Sequence, residues 1–213
     1  VDETSITAAG VIDTFLVLLI GVGPKLALVP YLQITGPLDR ATRGRVQRKM
    51  LTTAAAVAVV LMVLGELLRS LLHFTIGSLS IAGGVILLIL AVSMVLKPPA
   101  DGGDRPDGTD PMRLAQFPLA VPYLLNPVGI VGLITISADA ESLSIFAVAF
   151  GLLVLVFGLD VVVFRWAGRV SEKLDENRML VTEKVFGFLI AAIAVQLVLD
   201  GLTDLGVIAP IQH

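Results

Sequence analysis

Two prolines stand inside long apolar runs, each beside a residue able to bind a small polar molecule. Gly23-Pro24-Lys25 interrupts the first run, and Asn126-Pro127-Val128-Gly129 interrupts the fourth, with the prolines 103 positions apart. A proline within a helix lacks an amide donor and clashes with the preceding turn, so each break frees backbone N–H and C=O groups. Freed N–H groups at a half-helix N-terminus attract an anion, and freed carbonyls attract a cation. Together they suit a zwitterion such as a free amino acid, and Gly23 and Gly129 permit close backbone approach. The alternative is that the prolines only kink the helices for packing. Their matched placement favours the binding site.

Other polar groups stand along the same runs. Lys25 lies ten residues from the nearer end of its run, about 15 Å deep at ~1.5 Å per residue. A charge at that depth is costly and points to function or to a buried partner. Three roles stay open for it: holding a substrate carboxylate, standing as a fixed charge in a cation site, or pairing with an acid. Asp160, in the fifth run, is the candidate partner, and the pair would serve either coupling or only the joining of two helices. Asn126 both donates and accepts, so it can orient a small polar solute. Ser93 and Gln196 are 103 positions apart and either face the breaks or make interhelical hydrogen bonds. Glu66 and Arg69 have the i, i+3 spacing of a peripheral ion pair, with His73 nearby. Asp13 and Asp200 lie near run ends, where water reaches them. Ala82-Gly83-Gly84 reads as close helix packing.

The elements that must position these groups are membrane helices. The chain is 56% hydrophobic and 15% charged, with mean hydropathy +0.93. Apolar runs of roughly 20 residues, the length needed to cross roughly 30 Å of hydrocarbon, recur along it. We read six spans, at 7–34, 49–71, 76–96, 115–137, 142–166 and 181–203. The first is too long for a signal peptide, and Asp2 and Glu3 precede it in place of a basic segment. A net charge of −3 excludes a nucleic-acid footprint. There is no cysteine, hence no disulfide and no thiolate metal site, and no cofactor is expected. Neither HExxH, GxSxG nor a Walker pattern occurs, so the chain does not read as an enzyme. Asp101, Asp104, Asp107 and Asp110 lack calcium-loop spacing and belong to a solvated Pro/Gly/Asp-rich linker.

Thirteen of the fifteen basic residues lie in or beside the first, third and fifth connections. The positive-inside rule puts those connections in the cytoplasm and both termini outside. The halves also repeat: at an offset of 103, Pro24 aligns with Pro127, Gly84 with Gly187, and Ala91-Val92-Ser93 with Ala194-Val195-Gln196. With three spans per half, the second half must be inverted relative to the first, an architecture recurrent among transporters. The expected fold is therefore an all-α membrane protein of two inverted three-helix repeats with helices 1 and 4 broken. Its parts are a first repeat at 1–98, a cytoplasmic linker at 99–113 and a second repeat at 114–213. Small-residue faces such as Gly83-Gly84 would pack within the subunit or between copies, which leaves a homo-oligomer open.

At these residues the chain resembles the MarC family of six-span prokaryotic membrane proteins, allied to the LysE-type exporters. The resemblance rests on Phe117-Pro-Leu-Ala-Val-Pro122 before the second break, Ile81-Ala-Gly-Gly-Val85, and Phe186-Gly-Phe-Leu-Ile-Ala-Ala-Ile-Ala-Val-Gln196 running on to Asp200-Gly201. It implies a multi-pass protein of the prokaryotic plasma (inner) membrane, and a kinship with proton-dependent transporters of glycine and alanine. Family members usually carry an Asn-Pro break in the first half and Gly-Pro-Gly in the second. Here the asparagine stands in the second half and a lysine in the first. The expectation is a secondary transporter of a small neutral amino acid working by alternating access. The alternatives are an exporter of amino acids or drug-like metabolites, or a non-transporting membrane scaffold.

Overall fold

The computed structural model describes residues 7–96, 110–139, 142–170 and 176–209. Most of the linker at 99–113, with Arg105 and three of its four aspartates, lies outside the described residues, as do Lys97 and Lys173. Among the described residues every regular element is a helix: α1 Ala8–Val22, α2 Leu28–Thr35, α3 Arg40–Leu72, α4 Ile76–Leu96, α5 Pro111–Leu114, α6 Pro127–Asp139, α7 Leu143–Val170 and α8 Glu176–Asp204.

Four stretches are long and apolar enough to cross a membrane: α3, α4, Leu143–Ala167 of α7 and Lys184–Asp204 of α8. Pro111–Leu124 and α6 are together long and apolar enough as well, bent by 67° at their junction, and count as a fifth where the pair forms one span. The first expected span is divided into α1, apolar but only 15 residues long, and the shorter α2.

Local chemistry explains the boundaries. The Thr7 hydroxyl caps α1 by accepting from the Gly10 N–H at 3.2 Å. Gly23, preceding proline, is forced to extended dihedrals (φ −80°, ψ 167°), and the helix stops. It resumes within a turn as Leu28 N–H donates to Pro24 O at 2.8 Å. At the far end of α2, Arg43 gathers the carbonyls of Thr35, Gly36 and Leu38. The Asp39 carboxylate then caps α3, accepting from Ala41 and Thr42 N–H at 3.0 and 3.1 Å. Hydrogen bonds from Thr42 hold the Asp39 carboxyl below the usual carboxylate range. Because that cap sets the start at Arg40, the expected long first connection shrinks to Gly36–Asp39. Its arginines and Lys49 are good helix formers and ride on α3 instead.

The fourth span also departs from expectation. Between α5 and α6, Ala115–Leu124 coils irregularly, because Phe117 (φ −139°, ψ 122°) and Val121 (φ −135°, ψ 125°) are extended. Each precedes a proline, Pro118 and Pro122, which disfavours helical dihedrals there. The second break thus begins well before Asn126.

The most extensive helix pair is α4 with α8. Gly77, Gly84 and Ala91 on α4 meet Gly201, Ala194 and Gly187 on α8, at seven-residue spacing and running antiparallel. A Cβ on Gly84 would lie 2.7 Å from Ala194 O, and one on Gly187 would lie 3.2 Å from Ala91 O. The missing side chains let the two backbones touch. Lys184 Nζ donates to Met94 O and Val95 O at 3.0 and 2.7 Å, tying α8 to the end of α4. Around this pair, α6 packs on α3, α4 and α1, and α7 on α1. The main core runs through Leu18, Tyr31, Met50, Leu119, Leu133 and Phe164.

Candidate functional site

The two breaks meet. Pro24 cannot donate to Ile20 O, its helical acceptor four residues back, and the turn that follows leaves Gly21 O without a helical partner. Asn126 of the other half replaces both donors. Its side-chain Nδ2 donates to Ile20 O at 2.8 Å, and its backbone N–H donates to Gly21 O at 3.0 Å. Its Oδ1 accepts from Gly129 N–H at 3.2 Å, the bond of an N-cap, with Pro127 at the first helical position of α6. One buried asparagine, 1% exposed, therefore ends α1 and starts α6.

The approach is close enough to require glycine on both sides. A Cβ on Gly21 would collide with the Gly129 backbone, and one on Gly129 would collide with Gly21 O. A third element closes in at Gly83 of α4, where a Cβ would sit 3.2 Å from Pro127 Cβ. The carbonyls freed at the first break are consequently occupied by protein donors. They are not open to a ligand's ammonium group in this conformation.

A cavity of about 610 Å³ leads to the crossing between α1, α4, α6, α7 and α8. Its wall includes Val128 and Gly132, within the first two turns of α6, and Asp13, Asp139, Asp200 and Asp204 also line it. Gln196 Nε2 donates to Asp200 Oδ1 at 2.7 Å and so orients one of these carboxylates. A second cavity, of about 1000 Å³, opens at the opposite, arginine-bearing end between α2, α3 and α7.

The remaining expected site residues are dispersed. Gly23, Pro24 and Pro127 flank the crossing. Lys25 is exposed on the turn after the first break and lines neither cavity. Asp160 is fully buried on α7, and neither of its carboxylate oxygens has a hydrogen-bond partner, so the expected Lys25–Asp160 pair is not made. The long, flexible lysine is exposed at its turn, whereas the short aspartate is held inside by its helix. Ser93 is exposed and bonds its own helix, donating to Leu90 O at 2.6 Å, so it does not reach the breaks. Glu66 and Arg69 form the expected pair as a two-pronged contact, both bonds 2.7 Å. Sequence reasoning did not find Gly21, whose only signal is one more small residue before Gly23-Pro24, or Tyr31. The Tyr31 hydroxyl is buried without a partner, and its ring packs edge-on against Phe164 with centroids 4.9 Å apart. Among the described residues no group of three or more His, Asp or Glu could hold a metal ion.

Comparison with known proteins gives one family and a wide spread of relatives. A family model described as "MarC family integral membrane protein" matches residues 9–205. The inner membrane protein YhgN of Escherichia coli K12, a UPF0056 protein, is 26% identical over 190 residues, covering 87% of this chain and 93% of its own. A UPF0056 membrane protein of the archaeon Archaeoglobus fulgidus is 24% identical over 199 residues, covering 90% of this chain and 91% of its own. YvbG of Bacillus subtilis is 22% identical over 190 residues, covering 86% and 90%. No solved structure matches the chain.

Proposed function

The chain belongs to the MarC family of integral membrane proteins, and on that premise we propose that it is a secondary transporter of a small zwitterionic metabolite. The substrate class is a small neutral amino acid such as glycine or alanine, and the location is a prokaryotic inner membrane, in keeping with the name of the E. coli relative. In this reading α1 with α2 forms one broken span and Pro111–Asp139 another. That makes six spans in two inverted halves, with both termini outside. The exchange of partners in the α4–α8 pair supports it: Gly84 faces Ala194 and Gly187 faces Ala91, and both substitutions of partner follow the 103-residue offset.

The observation that carries the proposal is an acid-lined cavity that reaches Val128, beside the crossing of the breaks. A substrate carboxylate is drawn toward the first turn of α6, where the helix presents its positive end at Val128. The ammonium group is drawn to the aspartates, with Asp200 held by Gln196. The Gly23–Lys25 and Asn126–Gly129 breaks contribute the joint between the halves, and alternating access works by rocking one half against the other. Asp160 is the group we assign to proton coupling, as a carboxyl buried within a span without a partner.

Uptake of labelled alanine and glycine into proteoliposomes, with and without an imposed pH gradient, tests the reading. We expect flux that the gradient enhances, and an Asp160→Asn variant whose flux ignores the gradient. Absence of flux for every small amino acid would overturn the proposal. One observation favours a second reading, a non-transporting scaffold: Asn126 makes its hydrogen bonds inside the protein. On that reading Asn126→Ala and Pro24→Ala change stability while no substrate moves.

A further inference from the structure

The cavity at the arginine-bearing end has no part in the proposed transport site. Arg40, Arg43, Arg45 and Arg48 reach it from α3, and Arg165 reaches it from α7, more than a hundred residues along the chain. Among the described residues its lining holds no carboxylate, although Asp39, at the cap of α3, acts electrostatically on Arg45. A positive-inside bias asks only that basic residues flank the spans, not that they converge on one hollow. Two like charges brought together on facing helices, here Arg48 and Arg165 alone, favour an anion between them. Arg43 has a structural task, holding the carbonyls at and beyond the end of α2, but Arg48 and Arg165 are exposed side chains on facing helices.

The rest of the lining narrows the anion. Leu51, Val161 and Phe164 supply an apolar wall beside the guanidinium groups, with Tyr31 packed against Phe164. Trp166, the only tryptophan, follows Arg165 and is 64% exposed. Tryptophan marks the membrane–water interface, which sets the arginines at the level of the lipid headgroups. A cavity of about 1000 Å³ with a cationic rim and an apolar wall, at headgroup level, has the two chemistries of a phospholipid. Guanidinium forks match the phosphate oxygens bidentately, and the apolar wall matches the first methylenes of an acyl chain. We propose that this cavity is a binding site for an anionic phospholipid, its phosphate held by Arg48 and Arg165. The inference does not depend on what the protein transports.

Native mass spectrometry of the full chain in detergent, titrated with phosphatidylglycerol or phosphatidylcholine, tests it. Phosphatidylglycerol should bind saturably and at least about tenfold more tightly than phosphatidylcholine, given that each basic residue at a membrane surface contributes a several-fold preference for anionic lipid. The double variant Arg48→Gln/Arg165→Gln should lose about tenfold in phosphatidylglycerol affinity and leave phosphatidylcholine unaffected. Thr52→Trp, at an exposed cavity-lining position, should also weaken phosphatidylglycerol with every charge in place, which keeps the test decisive if the double variant misfolds. Equal binding of the two lipids would overturn the proposal. So would wild-type binding by the folded variants. Displacement of phosphatidylglycerol by inorganic phosphate at comparable concentration would also overturn it, by assigning the cavity to a soluble anion.

Discussion

The first break is brief and the second is long, and the difference decides which half holds the molecule together. At the first, one proline removes one donor, the chain turns, and α2 begins within five residues. At the second, Phe117 and Val121 leave helical geometry before the chain reaches Asn126. The short break presents acceptors only, Ile20 O and Gly21 O. The long break presents the donors that fit them, from one side chain and one backbone amide. Loss of helix in one half is therefore compensated from the other. A break in a membrane helix is stable where such a partner exists.

Changes at the crossing test this division of labour most severely. Gly129→Val places a branched side chain where the Gly21 backbone already lies, and we expect no folded, monodisperse protein on size-exclusion chromatography. Asn126→Ala leaves the part-buried Ile20 O and the buried Gly129 N–H without partners, at a cost of about 2–4 kcal/mol in unfolding free energy. Adding Pro24→Ala to that variant should recover about 1 kcal/mol, because alanine returns a helical donor to Ile20 O. A double-mutant cycle on unfolding in mixed micelles measures the coupling, and strictly additive effects would show that the breaks do not share their hydrogen bonds. Lys25→Met should shift unfolding by less than about 0.5 kcal/mol, as an exposed side chain with no partner in the core. A large loss there would reverse the comparison, making the short break the anchored one.

The smallest expected effect lies at the junction of α2 and α3. The hydrogen bonds from Thr42 depress the Asp39 carboxyl, so the folded form holds its proton less tightly than the unfolded chain does. The stabilisation is complete above the ordinary carboxylate range and fades as pH falls through the depressed folded value. Asp39→Ala should lower the midpoint of thermal unfolding slightly at neutral pH and leave it unchanged in strong acid. An equal shift at both pH values would show that the carboxylate's charge is irrelevant to the cap.

Much of the architecture was legible because hydropathy and proline act locally. The apolar runs became helices, the prolines broke them, and Glu66 and Arg69 met at i, i+3. What was not legible depended on partners far away in sequence. Asn126 reads equally well as a solute ligand or as a cap, and only the position of Ile20 O shows the second use. Lys25 counts as deep along its run, and only the fold shows that its side chain is exposed at the turn and not paired with Asp160. Ser93 and Gln196 share a repeat position but not a role, since Asp200 has no counterpart one turn after Ser93, where Lys97 stands. The aspartate-lined cavity was invisible because its acids come from α1, α6 and α8.

The glycine contacts between α4 and α8 carry one more consequence. A contact in which one position meets a second, while the second's equivalent meets the first's, has the arithmetic of an isologous interface. Such an interface ordinarily joins two copies of the same polypeptide across a two-fold axis. Here Gly84 with Ala194 and Gly187 with Ala91 make it within a single chain. A face of that kind is self-complementary. A substitution that spoils one of these contacts therefore has a counterpart 103 residues away that spoils the other in the same way.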